Sequence, residues 1–381
     1  MSKVDELIRG LCPDGVERVQ LGDLGSFKRG KGVKKDHLGS SGVPVVHYGQ
    51  IYTDYGVWTE ETVSFIEEGL VKKPVEASPG DLLITISDVT PTNVGKTVAW
   101  VGTENVVAGG DMLVFRHEQD PKYLSYVFQS DIFQKQKMSR VTGGTVRHLS
   151  AGGLSTISVP LPPLEVQKEI VRILDQFVEL DRELEQEIAR REEQLEFVRG
   201  VLLEAEVPTV DLKEIAELGT GSRNTSDAVE SGEYAFYTRG EEVLALDEYD
   251  FEDTSIITAG DGVGVGKTMH FVSGKYALHQ RAYRIHVSDK NYNSRFIYHL
   301  MKQKFLEYME RNSVHASVTS IRKWMLESFP VPRIPFEVQQ EIANKLDTFT
   351  EYIDNLKRER ELRQKQYEYY RDLLLDFPVK E

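Results

Sequence analysis

The stretch of this 381-residue chain that looks most like a reaction centre is 260–268 (GDGVGVGKT), whose glycines and closing Gly-Lys-Thr suggest a phosphate cradle. Such a loop needs a further glycine five residues ahead of the Gly-Lys pair, so that backbone N–H groups can close around the anion. Asp261 stands there instead, and Thr90 stands in the matching place before Gly95-Lys96-Thr97. Both stretches therefore read as glycine-rich turns between strands that present Lys96 and Lys267 outward. No G-x-G-x-x-G follows a strand and opens a helix, and neither G-x-S-x-G, H-E-x-x-H nor an Asn/Asp-Pro-Pro-aromatic tetrad occurs. The nine histidines are scattered, and His47 and His148, the two near polar loops, read as surface or packing residues. Carboxylate pairs such as Glu60-Glu61 and Glu67-Glu68 read as solvated turns. We therefore assign no catalytic, cofactor-binding or metal-ligating residue, and a chain without a paired nucleophile and base reads as a binding or scaffold protein, not an enzyme.

What remains is a set of basic and polar side chains in two groups. The first comprises Lys28, Arg29, Lys31, Lys34 and Lys35 in a glycine-flanked stretch, then Lys96, then Arg140, Thr142, Thr145, Arg147 and His148. The second comprises Arg223, Asn224, Arg239, Lys267, His279, Gln280 and Arg281, then Ser317, Thr319, Arg322 and Lys323. Lys and Arg suit DNA phosphates, while Arg, Gln, Asn, Thr and Ser suit base edges in the major groove. Lys34 and Lys35 are expected to contact phosphate; Gln280 and Arg281, at the start of an expected strand, are expected to read bases.

Overall charge argues the other way at first. Lys plus Arg number 46 and Asp plus Glu 61, a formal net charge of -15. The excess is uneven: -2 for 1–159, -6 for 160–204, -4 for 205–333 and -3 for 334–381. The two long blocks are close to neutral, so each can carry a basic face. With 40% apolar residues the chain is expected to fold, and its length suits more than one domain. Cys12 is the only cysteine, so neither an internal disulfide nor a cysteine-built zinc site is possible. The opening twenty residues carry no basic-then-apolar signal segment and no apolar run approaches a membrane span, so a soluble cytoplasmic protein is expected.

The elements that must position these side chains are set by an internal repeat. Residues 160–171 (PLPPLEVQKEIV) match 332–343 (PRIPFEVQQEIA) at an offset of 172, and the register continues to the Leu202-Leu203 and Leu374-Leu375 pairs. Upstream, Val146 matches Val318, Leu149 matches Ile321, 83–97 resembles 256–268, and 19–30 resembles 210–221. The chain thus reads as a tandem duplication. Within each copy, short runs such as Val43–Tyr48, Leu82–Ile86, Val98–Val101 and Met112–Phe115, then Ala235–Thr238, Ser255–Thr258, Met269–Val272 and Arg281–Val287, read as strands of a mainly β domain. Helical spacing interrupts them at 122–137 and 294–311.

Each copy closes on a long helix entered at Pro163 or Pro335. The seam runs Ile170, Leu174, Phe177, Asp181, Leu184, Ile188, Arg191, Leu195, Val198 and Leu202, stepping 4, 3, 4, 3 throughout. Adding 172 gives Ile342, Leu346, Phe349, Ile353, Leu356, Arg360, Arg363, Tyr367, Tyr370 and Leu374. These are heptads over roughly 60 Å of helix. Two such seams most simply bury each other as an intramolecular antiparallel coiled coil, Leu184 near Leu356, which would bring the polar interruptions Asp181 and Arg360 together. A competing arrangement packs each helix on its own domain or against a second copy of the chain.

With these features assembled, the chain resembles the specificity subunits (S or HsdS) of type I restriction-modification systems over essentially its whole length. The resemblance is carried by the duplicated entries Pro163-Leu164-Glu165-Val166-Gln167 and Pro335-Phe336-Glu337-Val338-Gln339, each followed by I-x-x-x-L-D at 170–175 and 342–347. It implies an α+β architecture with pseudo-two-fold duplication: target recognition domains at 1–159 and 205–333, and spacer helices at 160–204 and 334–381. Each recognition domain would read one half of a bipartite double-stranded DNA site. The helices would dock two adenine methyltransferase (modification) subunits, and restriction subunits would join them. S-adenosylmethionine, ATP and Mg2+ would then be bound by those partners. Because the two β domains have diverged, an asymmetric target is expected. Two other readings compete: an orphan or phase-variable S-like regulatory chain, which neighbouring genes would reveal, and a coiled-coil assembly adaptor, which a failure to bind DNA would favour.

Overall fold

The computed structural model describes residues 3–204, 207–262, 264–312 and 320–380, the side chain of Asp5 excepted. The chain divides into two compact units, Met1–Glu183 with Arg360–Glu381, and Leu184–Glu359. Each unit contains one β-rich region and parts of both long helices, Leu164–Leu203 and Phe336–Leu375.

In the first unit a five-stranded sheet runs Gly25–Arg29, Met112–His117, Leu82–Thr85, Thr97–Trp100 and Trp58–Thr59. A four-stranded sheet runs Ser64–Ile66, Val43–Val46, Val106–Ala108 and Glu76–Ala77. The second unit has one six-stranded sheet, ordered Ala216–Thr220, Ala282–Val287, Phe251–Ala259, Met269–Leu278, Tyr234–Tyr237 and Leu244–Leu246. The ten-residue strand Met269–Leu278 does in one piece what Thr97–Trp100 and Val106–Ala108 do in two: its far end pairs in parallel with Tyr234–Tyr237, as Val106–Ala108 pairs with Val43–Val46. In both units a short antiparallel pair ties the β region's start to its end, Arg18–Gln20 with Ser158–Pro160 and Thr209–Asp211 with Pro330–Pro332. The matched glycines Gly30 and Gly221 mark a shared close approach. A Cβ there would lie 1.9 Å from the Gly109 carbonyl oxygen and 1.8 Å from that of Leu278.

Strands form at the expected apolar runs, but 255–258 and 269–272 extend to Phe251–Ala259 and Met269–Leu278, and two other boundaries differ. Helix 122–137 is broken into Pro121–Gln129 and Asp131–Met138. The Ser130 hydroxyl accepts from the Phe133 N–H, and its own N–H reaches back to the Val127 carbonyl, so one residue caps the second helix and closes the first. The final strand opens at Ala282, which leaves Arg281 in the turn before it.

The repeated helix entries have a physical role that recurs in each unit. Gln167 and Gln339 are both fully buried. Gln167 accepts from the Asp120 N–H (3.1 Å) and donates to the Pro162 carbonyl (2.8 Å). Gln339 accepts from the Asn293 N–H (2.8 Å) and donates to the Ile334 carbonyl (2.8 Å). Each glutamine thus joins the entry of a long helix to the N-terminus of the helix from its own β region. Two turns on, Asp175 accepts from Lys122 (2.8 Å) and the Tyr126 hydroxyl (2.6 Å), and Asp347 accepts from Arg295 (2.8 Å) and His299 (2.7 Å). The Lys122 ammonium also lies 3.5 Å above the Trp58 ring, and Arg295 4.6 Å above Phe271.

The long helices contact each other and also pack on the β regions, so the two arrangements posed by the sequence coexist. In the first unit Val166, Ile170 and Leu174 join Leu375 and Phe377 in one apolar core with Tyr123 and Phe115. Phe177 meets Tyr370 (5.6 Å between ring centroids) and Tyr367 (6.4 Å). One turn further on, Asp181 accepts from Arg360 Nε (2.9 Å) and Nη2 (3.0 Å) and from Gln364 (3.1 Å). Advancing along one helix therefore means retreating along the other: this pairing is antiparallel, and the two polar interruptions satisfy each other as the symmetric register requires. In the second unit Leu195, Ile342, Leu346 and Ile353 share a core with Phe296 and Leu300. Along the seams Leu184 and Ile188 are buried, Val198, Leu202, Phe349, Leu356 and Leu374 are half-buried, and Arg363 and Tyr370 are exposed. Among the described residues no helix is long and apolar enough to cross a membrane.

Candidate nucleic-acid interface

The two β regions end in topologically equivalent surfaces built from different side chains. In the first, the chain leaves the strand Leu82–Thr85 at Ile86, whose N–H donates to the Asp111 carbonyl (3.0 Å) and whose carbonyl accepts from the Leu149 N–H (2.9 Å). In the second, Gly260 repeats both bonds, donating to the Arg281 carbonyl (2.8 Å) and accepting from Ile321 (2.8 Å). Residue 87 is thus the counterpart of 261, 111 of 281, and 148 of 320. Ser87, Asp111 and His148 occupy one surface where Asp261, Arg281 and Ser320 occupy the other.

On the first surface Arg147–His148 pairs antiparallel with Ser87–Asp88, and the Ser87 hydroxyl meets His148 Nδ1 at 2.8 Å. A tight loop closes between Thr142 and His148, and Arg147 donates to the Gly143 carbonyl (2.6 Å). Thr142, Thr145 and His148 are exposed there, beside half-buried Arg147. Arg29 reaches Asp111 (3.2 Å) from the neighbouring strand, and Lys28, Lys31, Lys34 and Lys35 follow in exposed positions. Asp88 organises the adjoining loop by accepting from the Thr90 N–H (2.7 Å) and from Asn93 (3.4 Å). Lys96 leans on the Tyr52 carbonyl (3.3 Å), and partial burial lowers its pKa. Behind the loop Lys137 is fully buried and donates to the Thr92 carbonyl (3.0 Å); burial holds its pKa down at about 8. Arg140 turns back on its own helix end, bonded to Gln136, Ser139 and Thr156.

On the second surface Asp261 accepts from Arg239 Nη1 (2.9 Å) and Arg281 Nη1 (3.1 Å). The Arg239 hydrogen bond is the main reason the Asp261 carboxyl sits below its ordinary range, and Arg281 adds to it. His279 is buried and its Nδ1 accepts the Arg281 N–H (3.0 Å), which fixes the turn; burial first, then Arg239 and Arg281, lower its pKa and keep the ring neutral. The Gln280 amide is held by the Asn224 side chain. Arg223 is drawn away to Glu248 (2.9 Å) and Asp250 (3.0 Å). Thr220, Asp261, Gln280, Arg281, Ser320 and Arg322 line one polar cleft. Lys267 is exposed nearby in sequence, and Lys323 reaches Glu327 at 3.6 Å. Ser317 and Thr319 lie outside the described residues.

Sequence reading missed Asp111 and Asp261, which accept from arginines, and Ser87 and Asp88, which bond His148 and the adjoining loop. The available signal was positional, since the opening of the repeated stretch (83–88 against 256–261) aligns the acids Asp88 and Asp261. Its glycines serve packing: Gly95 and Gly266 have φ of 82° and 72°. A Cβ there would lie 3.0 Å from Lys137 and 2.4 Å from Met309. Among the described residues no group of three or more His, Cys, Asp or Glu side chains could hold a metal ion.

A family model described as "Type I restriction modification DNA specificity domain" matches residues 13–191 and 204–364. The Type I restriction enzyme EcoR124I/EcoR124II specificity subunit of Escherichia coli is 27% identical over 421 aligned positions, spanning 100% of this chain and 98% of the relative. The S subunit of a type I restriction-modification system from M. genitalium has a similar fold, with a TM-score of 0.63 at 14% identity over 94% of this chain and 96% of that one.

Proposed function

The chain belongs to the type I restriction modification DNA specificity family, and from that premise we propose that it reads an asymmetric bipartite site in double-stranded DNA. Residues 1–159 would read one half and 205–333 the other. The observation that carries this reading is the pair of equivalent surfaces with unlike side chains: a serine–histidine–threonine set beside five basic residues in one copy, an Asp-bridged arginine pair with a glutamine and an asparagine in the other. Duplication supplies the same platform twice, and divergence supplies two base preferences.

The chain itself contributes recognition and no catalysis. Two modification subunits dock on it and carry adenine methylation with S-adenosylmethionine, while restriction subunits using ATP and Mg2+ join that assembly. Two identical partners are supported by duplicated apolar patches on the long helices. Phe197 and Val201 are 72% and 58% exposed, and their counterparts Tyr369 and Leu373, at the same offset of 172, are 63% and 54% exposed. Each pair lies one turn apart on a helix face and forms an anchor of the kind protein interfaces bury. Acidic helices without surplus basic charge also leave much of the phosphate neutralisation to those partners.

The test is salt-titrated binding of the chain, assembled with its modification subunits, to its target duplex and to duplexes altered in one half. We expect site preference to collapse when either half is altered, and Lys34→Ala or Lys35→Ala to weaken all duplexes alike while flattening the salt dependence. Equal affinity for every duplex would reject the reading and favour the assembly-adaptor alternative.

A further inference from the structure

The Asp261 cluster differs from an ordinary basic patch because half of its positive charge is compensated by one carboxylate while its donors are not used up. Two guanidiniums share one carboxylate, each through a single terminal nitrogen. The Nε and Nη2 groups of Arg239 and Arg281 have no further partner among the described residues. A surface meant only to hold phosphate would leave its cations unneutralised; pairing both with a carboxylate weakens general attraction and fixes the planes in which the remaining donors lie. The supporting turn is rigid for its size. His279 accepts the Arg281 N–H, the Arg281 carbonyl is bonded to Gly260, and Gln280 is bonded through its backbone to Arg223 and through its amide to Asn224.

Resting on the DNA-recognition reading, we propose that Asp261 is a positioning residue that presents Arg239 and Arg281 as one preset donor array for the O6 and N7 acceptors of a guanine in the half-site read by the second unit. A fork of fixed N–H groups matches that edge, and the major groove shows the O6/N7 pair for guanine alone. Asp261 acts through the two arginines, each of its oxygens accepting from one of them. Arg322, on the same cleft and without an acidic partner among the described residues, is left to the phosphates.

The experiment uses the chain assembled with its modification subunits and a duplex carrying its mapped target. Each guanine of both halves is replaced in turn by 7-deazaguanine, which lacks the N7 acceptor. The wild-type assembly is expected to lose about tenfold in affinity at one guanine of one half. Asp261→Asn, which keeps size but not charge, is expected to reduce that loss to within about twofold, with the 7-deazaguanine penalties in the other half unchanged. A merely structural Asp261 would lower all affinities together and leave each ratio intact, which would overturn the proposal, as would a wild-type assembly insensitive at every guanine. Should Asp261→Asn fail to fold, Arg239→Lys and Arg281→Lys, which keep the charge and lose the fork, must remove the same single penalty. A wild-type assembly that does not prefer its mapped target over unrelated duplex would refute the DNA-recognition reading itself, a result distinct from failure of the Asp261 assignment.

Discussion

Replacing Gln167 by leucine tests why the helix-entry motif is repeated. The side chain is fully buried and serves two main-chain groups, the N–H of Asp120 and the carbonyl of Pro162, with a third bond to Gln119 (3.0 Å). Leucine is similar in size and satisfies none of them. The Pro162 carbonyl is enclosed and would be left wholly unpaired, whereas Asp120 is partly open to water, so the loss is about 2–4 kcal/mol, from ~1–3 kcal/mol per orphaned group. For a unit of this size that corresponds to a fall of roughly 5–15 °C in melting temperature. Calorimetry of the full chain is the assay, because the substitution lies in the first unit and its counterpart Gln339→Leu in the second. Each variant should lower a different melting component, and the double variant should lower both. A loss below about 1 kcal/mol in both single variants would refute the claim that these glutamines hold the helix entries to the β regions.

Lys137 corresponds to Met309 in the other copy, so Lys137→Met should change stability by less than about 1 kcal/mol at pH 7, in urea titrations. Because the folded state holds Lys137 at about 8 against an ordinary 10.5, the unfolded chain binds more protons between those values; the wild type should gain stability over the variant as pH rises through that window, and parallel curves would contradict it. His117 and His299, held at about 4 mainly by burial, charge more readily when unfolded, so stability should fall as pH drops from about 6.5 towards 4, and His299→Gln should flatten that slope in chemical denaturation. Phe197→Asp or Tyr369→Asp should each weaken one of two modification-subunit sites by about tenfold or more, leaving three-component assemblies one subunit short in native mass spectrometry; full occupancy at stoichiometric concentrations would count against those anchors.

What could be read from sequence divides along physical lines. The long helices were legible because a heptad seam is a local pattern repeated many times, and Asp181 with Arg360 could be anticipated because antiparallel register follows from symmetry once the repeat is seen. Strand positions were legible where burial on both faces leaves a short continuous apolar run, as at Leu82–Thr85. The break at Ser130 was not, since one capping hydroxyl within a helical spacing leaves the apolar rhythm intact. The organisation of the two equivalent polar surfaces was also hidden. Candidate basic residues can be named from type, yet Asp261 gains its role only when residues 22 and 20 positions away are folded beside it. The same fold draws Arg140 and Arg223 onto the protein's own carbonyls and carboxylates, although in sequence they look as available as Arg281.

Bipartite recognition is best measured by mapping N6-methyladenine across the DNA of cells that express the chain with its modification subunits, before and after residues 205–333 are exchanged for the corresponding domain of another family member. We predict one asymmetric bipartite motif that disappears when the chain is deleted, and an exchange that rewrites one half while the other half is kept. A methylation pattern indifferent to the chain, or an exchange that changes both halves together, would contradict the account.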